Sequence, residues 1–159
     1  MHKIGFGYDI HRLEAGRRLV LGGIDIPSPV GLLGHSDSDA LIHAVIDALL
    51  GALGEGDIGT RFPDTDPRTA GVRSKGLLQG IMGLVKSRGA SIVNVDSVIV
   101  AEEPKMAPHV PAMKASLAPV LGVPEAAVGI KAKTNEGLGP IGEKRAIACY
   151  AVVLINLPD

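Results

Sequence analysis

Aromatic side chains are scarce in this sequence: they occupy 3% of its 159 positions, and tryptophan is absent. Proteins that bind single-stranded nucleic acid stack the bases on aromatic rings, so the composition disfavours that class. An excess of one charge is also missing, because 16 lysines and arginines are balanced by 17 aspartates and glutamates. A chain with so little net charge generates no overall attraction for polyanions. We therefore expect neither nucleic acid nor a membrane surface among its partners.

Cysteine and long apolar runs are equally scarce. The single cysteine, Cys149, excludes an internal disulfide and favours a reducing compartment, and its apolar surroundings predict a small core residue. No apolar run reaches the ~18 residues that a transmembrane helix requires. The chain starts on a strand-like stretch, MHKIGFGYDI, rather than on a secretion signal. We expect a cytoplasmic protein, although an organellar transit peptide that had been removed would leave no trace here.

Hydrophobic residues make up 46% of the chain, enough for one well-filled core, and we expect residues 1–159 to form a single domain. Residues 3–10 and 18–26 are typical of strands and are expected to pair with each other across a polar turn. The other predicted elements are helices at about 39–53, 74–87 and 111–121 and strands at about 91–103, 127–134 and 145–157.

This interleaving, with several hairpin-like strands, favours an α+β fold with a mixed sheet and helices on one face. The helix at 39–53 has competent N-cap residues in Ser36, Asp37 and Ser38, and Gly54 can end it. Strands such as ACYAVVLI are apolar on both sides, so the second face of the sheet also needs cover. We expect self-association to provide it.

The segment YDIH places Asp9 and His11 two residues apart in a predicted strand, where alternate side chains point to the same face. Such a pair can contribute to a catalytic zinc site with three protein ligands and one open position, although alone it is more typical of an exposed strand end. His43, inside the otherwise apolar helix, is a candidate third ligand. Asp39 and Asp47 lie one turn to either side, and either could accept the second ring N–H. The alternative is an ordinary buried histidine that an aspartate satisfies.

Three loops carry further polar groups that fit a phosphorylated ligand. The loop GHSDSD precedes the helix, where free backbone N–H groups can receive an anion, but ordinary capping is an alternative. The acids of GDIGTRFPDTD can bind a cation or hydroxyl groups, or simply form turns. The loop KAKTNEGLG combines a cation, a hydroxyl and a carboxylate without Walker A spacing, and can equally be a surface turn. The residues concerned are His35 and Ser36 in the first loop, Asp57, Asp64 and Asp66 in the second, and Lys133, Thr134 and Glu136 in the third.

Taken together and in this order, these segments resemble the 2-C-methyl-D-erythritol 2,4-cyclodiphosphate synthase family of the non-mevalonate isoprenoid pathway. The blocks SDSDALIHA and GDIGTRFPDTD are highly specific to that family, and IGFGYDIHRL, NVDSVIVAEEPKMAPHVPAM and IKAKTNEGLGPIGEKRAIAC also match it. The resemblance implies a homotrimer with active sites between adjacent subunits. It implies 4-diphosphocytidyl-2-C-methyl-D-erythritol 2-phosphate as the substrate, whose 2-phosphate attacks its own β-phosphorus and displaces CMP.

The resemblance also assigns roles to individual residues. Three positions match zinc ligands (Asp9, His11 and His43), one matches the ligand of a second cation, Mg²⁺ or Mn²⁺ (Glu136), and two match groups that stabilise the transition state (His35 and Thr134). The other matched positions are substrate contacts: Ile10, Ser36, Asp57, Ile58, Gly59, Phe62, Pro63, Asp64, Thr65 and Asp66 around the sugar and metal, Ala101, Glu102, Glu103, Pro104, Lys105, Met106 and Ala107 at the cytosine, and Lys133 and Asn135 near the phosphates.

The chain departs from the family pattern near the implied trimer axis. Pro140 replaces a frequent aromatic residue, and Glu143 and Arg145 stand where relatives often have an arginine and an acid. We expect a Glu143–Arg145 contact with the charges exchanged. Two other functions use the same Asp-His-His set, namely a metal-dependent phosphohydrolase and a trimeric ligand-binding scaffold with structural zinc. The scaffold requires four protein ligands on the metal, and the sequence offers three.

Overall fold

A computed structural model of the chain describes residues 1–68 and 70–158, and seven strands and five helices run through these ranges. They are β1 (His2–Ala15), β2 (Leu19–Leu21), β3 (Ile24–Ile26), β4 (Val30–Leu32), α1 (Ala40–Leu53), α2 (Ile58–Arg61), α3 (Ser74–Ser87), β5 (Ser91–Val100), α4 (Val110–Leu121), β6 (Val128–Lys133), α5 (Gly139–Gly142) and β7 (Ala146–Asn156). The three long predicted helices are confirmed within one residue at each end.

Five strands form one sheet in the order β4-β1-β7-β5-β6, and β2 and β3 form a separate hairpin. The pair β5–β6 is parallel and the other neighbours are antiparallel, so the sheet is mixed, as predicted. The predicted pairing of residues 3–10 with residues 18–26 is wrong. β1 pairs with β7 from His2 opposite Asn156 to Arg12 opposite Ala146. The long partner strand offers a continuous ladder of cross-strand contacts that the short segment beside β1 in the sequence cannot match.

The close approach of α1 to β1 brings the candidate metal ligands of the two elements together. Gly5 and Gly7 face the helix, and a Cβ atom at either position would lie only 1.7 or 1.9 Å from a backbone carbonyl oxygen of α1. These two positions therefore have room only for glycine. The helix runs antiparallel to the strand, and four helical residues advance about 6 Å while two strand residues advance about 6.6 Å. Asp9 follows Gly7 on the same face of β1, and the side chain of His43, next to Ala44 in α1, lies beside it with Nδ1 3.1 Å from Oδ2 of Asp9.

α1 begins after Asp39, whose side chain accepts a hydrogen bond from the backbone N–H of Ile42, and it ends at Gly54 in the left-handed conformation with φ of 73°. The N-cap is thus Asp39 rather than one of the polar residues 36–38. Twelve of the fourteen helical residues are buried, because the sheet covers one side and α3 the other. No helix within residues 1–68 and 70–158 has the length and apolar character needed to cross a membrane.

The opposite face of the sheet exposes a continuous apolar strip. Its members on β1 and β7 are between 39% and 72% exposed: Ile4, Phe6, Tyr8, Ile10, Tyr150 and Val152. The ring centroids of Tyr8 and Tyr150 lie 5.0 Å apart, and those of Phe6 and Tyr150 lie 6.3 Å apart. The predicted arrangement, with helices on one face of a mixed sheet, is confirmed. A strip of this kind on a single chain marks an interaction surface.

Candidate metal centre and ligand cavities

Asp9, His11 and His43 converge where the first turn of α1 lies over β1. The Oδ2 atom of Asp9 is 2.9 Å from Nδ1 of His11 and 3.1 Å from Nδ1 of His43. One potential ligand atom from each residue lies within 4.8 Å of the others, so a single ion can contact all three. The cluster predicted from the sequence is therefore present.

Hydrogen bonding leaves part of the cluster unsatisfied. The Nδ1 atom of His11 is buried and, despite its short distance to Asp9, has no hydrogen-bond partner within the described part of the chain. Buried polar atoms without partners are rare in folded proteins, so this atom fits a site that binds a ligand. Two imidazoles and one carboxylate are also donors that Zn²⁺ accepts, and three protein ligands leave a fourth position open. The residues present therefore fit a bound divalent metal.

Asp9 and His43 change each other's protonation. Burial lowers the pKa of His43, but the hydrogen bond and charge of Asp9, with the charges of Asp39 and Asp37, outweigh burial and hold the pKa above 6.5. Burial raises the pKa of Asp9, and its contacts with His11 and His43 outweigh that effect and hold the pKa below 3.8. The metal-free cluster thus favours a negative Asp9 beside a positive His43. A metal ion must displace the proton on His43 to bind there.

Neither Asp39 nor Asp47 contacts the ring of His43, so the prediction that one of them orients it is wrong. Asp39 accepts hydrogen bonds from three backbone N–H groups, two in the β2–β3 turn and one in the first turn of α1. Burial raises the pKa of Asp39 to about 6, against the effect of these hydrogen bonds. Asp47 accepts a hydrogen bond of 2.7 Å from the backbone N–H of Ile58 at the start of α2. Both carboxylates therefore hold backbone segments in place.

The ring of His43 is held by Ser74, a residue that the sequence motifs do not single out. The Oγ atom of Ser74 lies 2.8 Å from Nε2 of His43, and its hydroxyl group donates to Asp37. Ser74 is the first residue of α3 and follows His43 by 31 positions, beyond a long irregular loop. No local pattern connects the two, and only the packing of α3 against α1 reveals the contact.

A cavity of about 350 Å³ opens in front of the cluster and gathers many of the predicted residues. Leu33, Gly34 and Leu77 contribute wall positions that were not predicted. A Cβ atom at Gly34 would lie 3.1 Å from two atoms of the His11 ring, so glycine keeps this side of the imidazole clear. The volume suits a small-molecule ligand. The predicted residues in the wall are Asp9, His11, His35, Ser36, His43, Ile58, Gly59, Phe62 and Asp64.

Other predicted contacts lie outside this wall. Ile10 lies between Asp9 and His11 in β1 and therefore points to the opposite, exposed face of the sheet. Asp57 is the N-cap of α2 and accepts a hydrogen bond of 2.7 Å from the backbone N–H of Thr60. The remaining positions of the loop after α2 are Pro63, Thr65 and Asp66. None of these five residues is among those that line the cavity.

A second cavity, of about 200 Å³, lies at the other end of the sheet. The carboxylate of Glu102 accepts a hydrogen bond of 2.7 Å from the backbone N–H of Asn135, and the hydroxyl of Thr134 donates to Glu136 at 3.1 Å. The first bond holds the turn after β6 against the segment after β5, and the second lies within the turn. The predicted residues in the cavity wall are Ala101, Glu102, Lys105, Met106, Ala107, Lys133 and Thr134.

Two ion pairs lie beyond the second cavity. Glu103 binds Lys144 at 2.7 Å, and neither Glu103 nor its neighbour Pro104 lines the cavity. Arg145 donates a hydrogen bond of 2.8 Å to Glu143, so the predicted contact with exchanged charges is confirmed.

The predicted residues therefore form two groups rather than one. Asp9 pairs with Cys149, Cys149 with Ile99, and Ile99 with Ala132, which places the metal cluster three strands away from the end of β6. Three strand spacings amount to about 14 Å. The two cavities share no lining residue.

The fold and the site together define a class of protein: a mixed-sheet α+β chain whose Asp-His-His cluster opens on a cavity for a small ligand. The chain matches the YgbB family over residues 2–156, and it belongs to that family. A relative from Gloeobacter violaceus named 2-C-methyl-D-erythritol 2,4-cyclodiphosphate synthase is 58% identical over 154 residues, which cover 97% of this chain and 94% of the relative.

Solved structures agree with this assignment. A structure of 2C-methyl-D-erythritol-2,4-cyclodiphosphate synthase matches with a TM-score of 0.90 and 48% identity, covering 97% of this chain and 100% of the other. A second such structure, in a form bound to CDP, also has a TM-score of 0.90, with 47% identity and the same coverage. The family resemblance drawn from the sequence motifs is thus confirmed.

Proposed function

We propose that this chain converts 4-diphosphocytidyl-2-C-methyl-D-erythritol 2-phosphate to 2-C-methyl-D-erythritol 2,4-cyclodiphosphate with release of CMP, as a phosphorus–oxygen lyase. The observation that carries the proposal is the convergence of Asp9, His11 and His43 on the wall of a ligand-sized cavity. The names of the relatives supply the substrate, and the CDP-bound neighbour supports a cytidine diphosphate ligand.

In this proposal the three converging residues hold Zn²⁺, and Glu136 holds Mg²⁺ or Mn²⁺ together with the substrate diphosphate. When bound, the cations neutralise phosphate charge and polarise the phosphorus–oxygen bonds. His35 at the first cavity and Thr134 at the second contact the reacting phosphates. Ser36 and the segment 57–66, part of which lines the first cavity, hold the erythritol, and residues 101–107 hold the cytosine.

The reaction forms a bond between an oxygen of the 2-phosphate and the β-phosphorus. The bond between that phosphorus and the oxygen shared with the α-phosphate breaks, and its electron pair leaves with CMP. The attacking phosphate is already anionic, so the chain needs no strong general base. The protein contributes mainly position and charge neutralisation, as phosphoryl transfer requires. Holding both ends of one molecule together is worth on the order of 7–11 kcal/mol when the geometry is right.

We further propose that residues 1–159 form one domain that assembles as a homotrimer through the exposed apolar strip. Two observations support assembly. The strip needs cover, and on one chain the strand that carries Asp9 and His11 lies three strand spacings, about 14 Å, from the end of β6 beside the second cavity. A head-to-tail ring joins one surface of each subunit to a different surface of the next, and can bring the metal cluster of one subunit beside the second cavity of its neighbour. The expected mass in solution is three times 16.4 kDa.

The decisive experiment incubates the zinc-loaded protein with the substrate in water enriched in ¹⁸O and analyses the products by mass spectrometry. We expect CMP and an unlabelled cyclic diphosphate in equal amounts. The variant His43→Ala is expected to lose both zinc and product formation, while His2→Ala, on the exposed end of β1, retains both. An open-chain phosphate carrying ¹⁸O would replace the proposal with a phosphohydrolase.

A further inference from the structure

The hydrogen bonds behind His43 form a chain that ends on a carboxylate. Nε2 of His43 lies 2.8 Å from Oγ of Ser74, whose hydroxyl group donates to Oδ1 of Asp37. The backbone N–H of Ser74 donates to Oδ2 of the same carboxylate at 3.1 Å. Ser74 is fully buried and His43 is 8% exposed, so water competes little for either group.

We propose that Ser74 and Asp37 are positioning residues that hold the His43 ring with Nδ1 toward the metal. The proposal rests on the proposed function only in taking Asp9, His11 and His43 as the metal site. A metal on Nδ1 leaves the ring proton on Nε2, which donates to the serine oxygen. The serine then has one hydrogen, which it donates to a carboxylate that only accepts. Each hydrogen bond from His43 through Ser74 to Asp37 then has one defined donor and one defined acceptor. Together these bonds fix both the tautomer and the tilt of the His43 ring.

Ser74 is better placed for this task than the neighbouring hydroxyl group. The Oγ atom of Ser36 lies 3.5 Å from Nε2 of His43 and 3.4 Å from Oγ of Ser74, both longer than the 2.8 Å contact. Ser36 also lines the cavity, where the proposed substrate binds. The hydroxyl of Ser74 is shielded from both solvent and substrate.

The carboxylate of Asp37 also fixes the start of α3. The N-cap residue of that helix, Arg73, makes no capping hydrogen bond through its side chain. Asp37 satisfies the first helical N–H from outside the helix and, with its other oxygen, directs the serine hydroxyl. The position of α3 and the orientation of a metal ligand therefore depend on one side chain.

The test measures zinc affinity by competition with a chromophoric chelator and records the visible spectrum of the Co²⁺-substituted protein. Removing a partner of a metal-bound histidine typically weakens metal binding 10- to 100-fold. We expect Ser74→Ala to weaken zinc binding by about that factor and to shift the Co²⁺ absorption bands. The two oxygens of Asp37 each accept a hydrogen bond from Ser74, and in Asp37→Asn an amide NH₂ group replaces one of them. We therefore expect a several-fold loss of zinc affinity with the same spectral shift.

The matched control is Ser97→Ala. Ser97 is a buried serine on β5 whose hydroxyl donates to the backbone carbonyl of Gly129 at 2.8 Å, and its loss is expected to lower stability without changing zinc affinity or the Co²⁺ spectrum. Wild-type zinc affinity in both Ser74→Ala and Asp37→Asn would overturn this inference alone. Failure of the wild-type protein to take up zinc or Co²⁺ would overturn the inference and the proposed metal site together.

Discussion

Protonation of His43 is set by a balance between burial and Asp9. Burial lowers the pKa of this imidazole, and the adjacent carboxylate, helped by Asp37 and Asp39, raises it above 6.5. Because the folded pKa exceeds the unfolded value, the charged pair stabilises the metal-free protein below pH 6.5. That stabilisation is lost as the pH rises through the folded pKa. Zinc competes with the same proton, so its apparent affinity falls as the pH drops through this range.

The prediction from this balance is a change in the titration of His43 in metal-free Asp9→Asn. We expect the NMR titration midpoint of the His43 ring to lie above 6.5 in the wild-type protein. It falls in the variant, because the charge that offsets burial is gone. The resonance is assigned from its absence in His43→Gln. An unchanged His43 midpoint in Asp9→Asn would show that another group holds the proton.

Sequence reasoning identified the Asp-His-His cluster but not the serine hydroxyl group that contacts the His43 ring. Asp9 and His11 follow from the two-residue period of a strand, and His43 is conspicuous as an ionisable residue in an apolar helix. The aspartates one helical turn away were plausible partners, yet both are occupied by backbone N–H groups. Such competition for a carboxylate depends on which loops pack against the helix. It is visible only once the tertiary structure is known.

β1 and α1 approach so closely that the strand has no room for a side chain at the points of contact. Gly7 lies directly under the helix backbone, where an added Cβ atom would approach a carbonyl oxygen to 1.9 Å. We expect Gly7→Ala to push α1 away from the sheet and to lower the free energy of unfolding by about 1–3 kcal/mol, the range for overpacked cores. Since the displaced turn of α1 also carries His43, zinc affinity is expected to fall in parallel.

The control for this substitution is Gly80→Ala on α3. A Cβ atom there meets no atom within 4 Å, so alanine adds helix propensity without a clash. We expect a stability equal to or up to about 1 kcal/mol above wild type, with unchanged zinc binding. Thermal melts and chelator competition on both variants test the argument. Wild-type stability and zinc affinity in Gly7→Ala would mean that the helix does not need this close approach.

Helices were predicted more accurately than strand pairing, and the reason is physical. The bounds of α1 follow from local groups, with Asp39 capping its start and Gly54 in a left-handed conformation at its end. The main partner of β1, in contrast, is β7, more than a hundred residues away. Adjacent segments in a sequence often pair, but here the 11-residue length of β7 outweighed proximity. Residues 19–26 folded on themselves as a short hairpin instead.

The proposed trimer would account for two features of the single chain. The apolar strip of β1 and β7 is exposed, and the cluster of Asp9, His11 and His43 lies about 14 Å from the turn that carries Thr134. A ring of three copies would cover the strip and join these two halves of a site across each interface. Each active site would then take its metal ligands from one subunit and Thr134 from the next.

This arrangement predicts complementation between two inactive variants, His43→Ala and Thr134→Ala. Each homotrimer lacks one half of every site, but a mixed trimer can pair an intact metal cluster with an intact Thr134 turn. A trimer that carries both tags contains both variants, and one of its three sites is complete, so doubly tagged trimers from co-expression are expected to recover about a third of wild-type CMP release. The control mixes His43→Ala with Asp9→Asn, whose lesions share one cluster and restore no site. If each site is built within one chain, the first mixture stays as inactive as its components, and the intersubunit site is excluded.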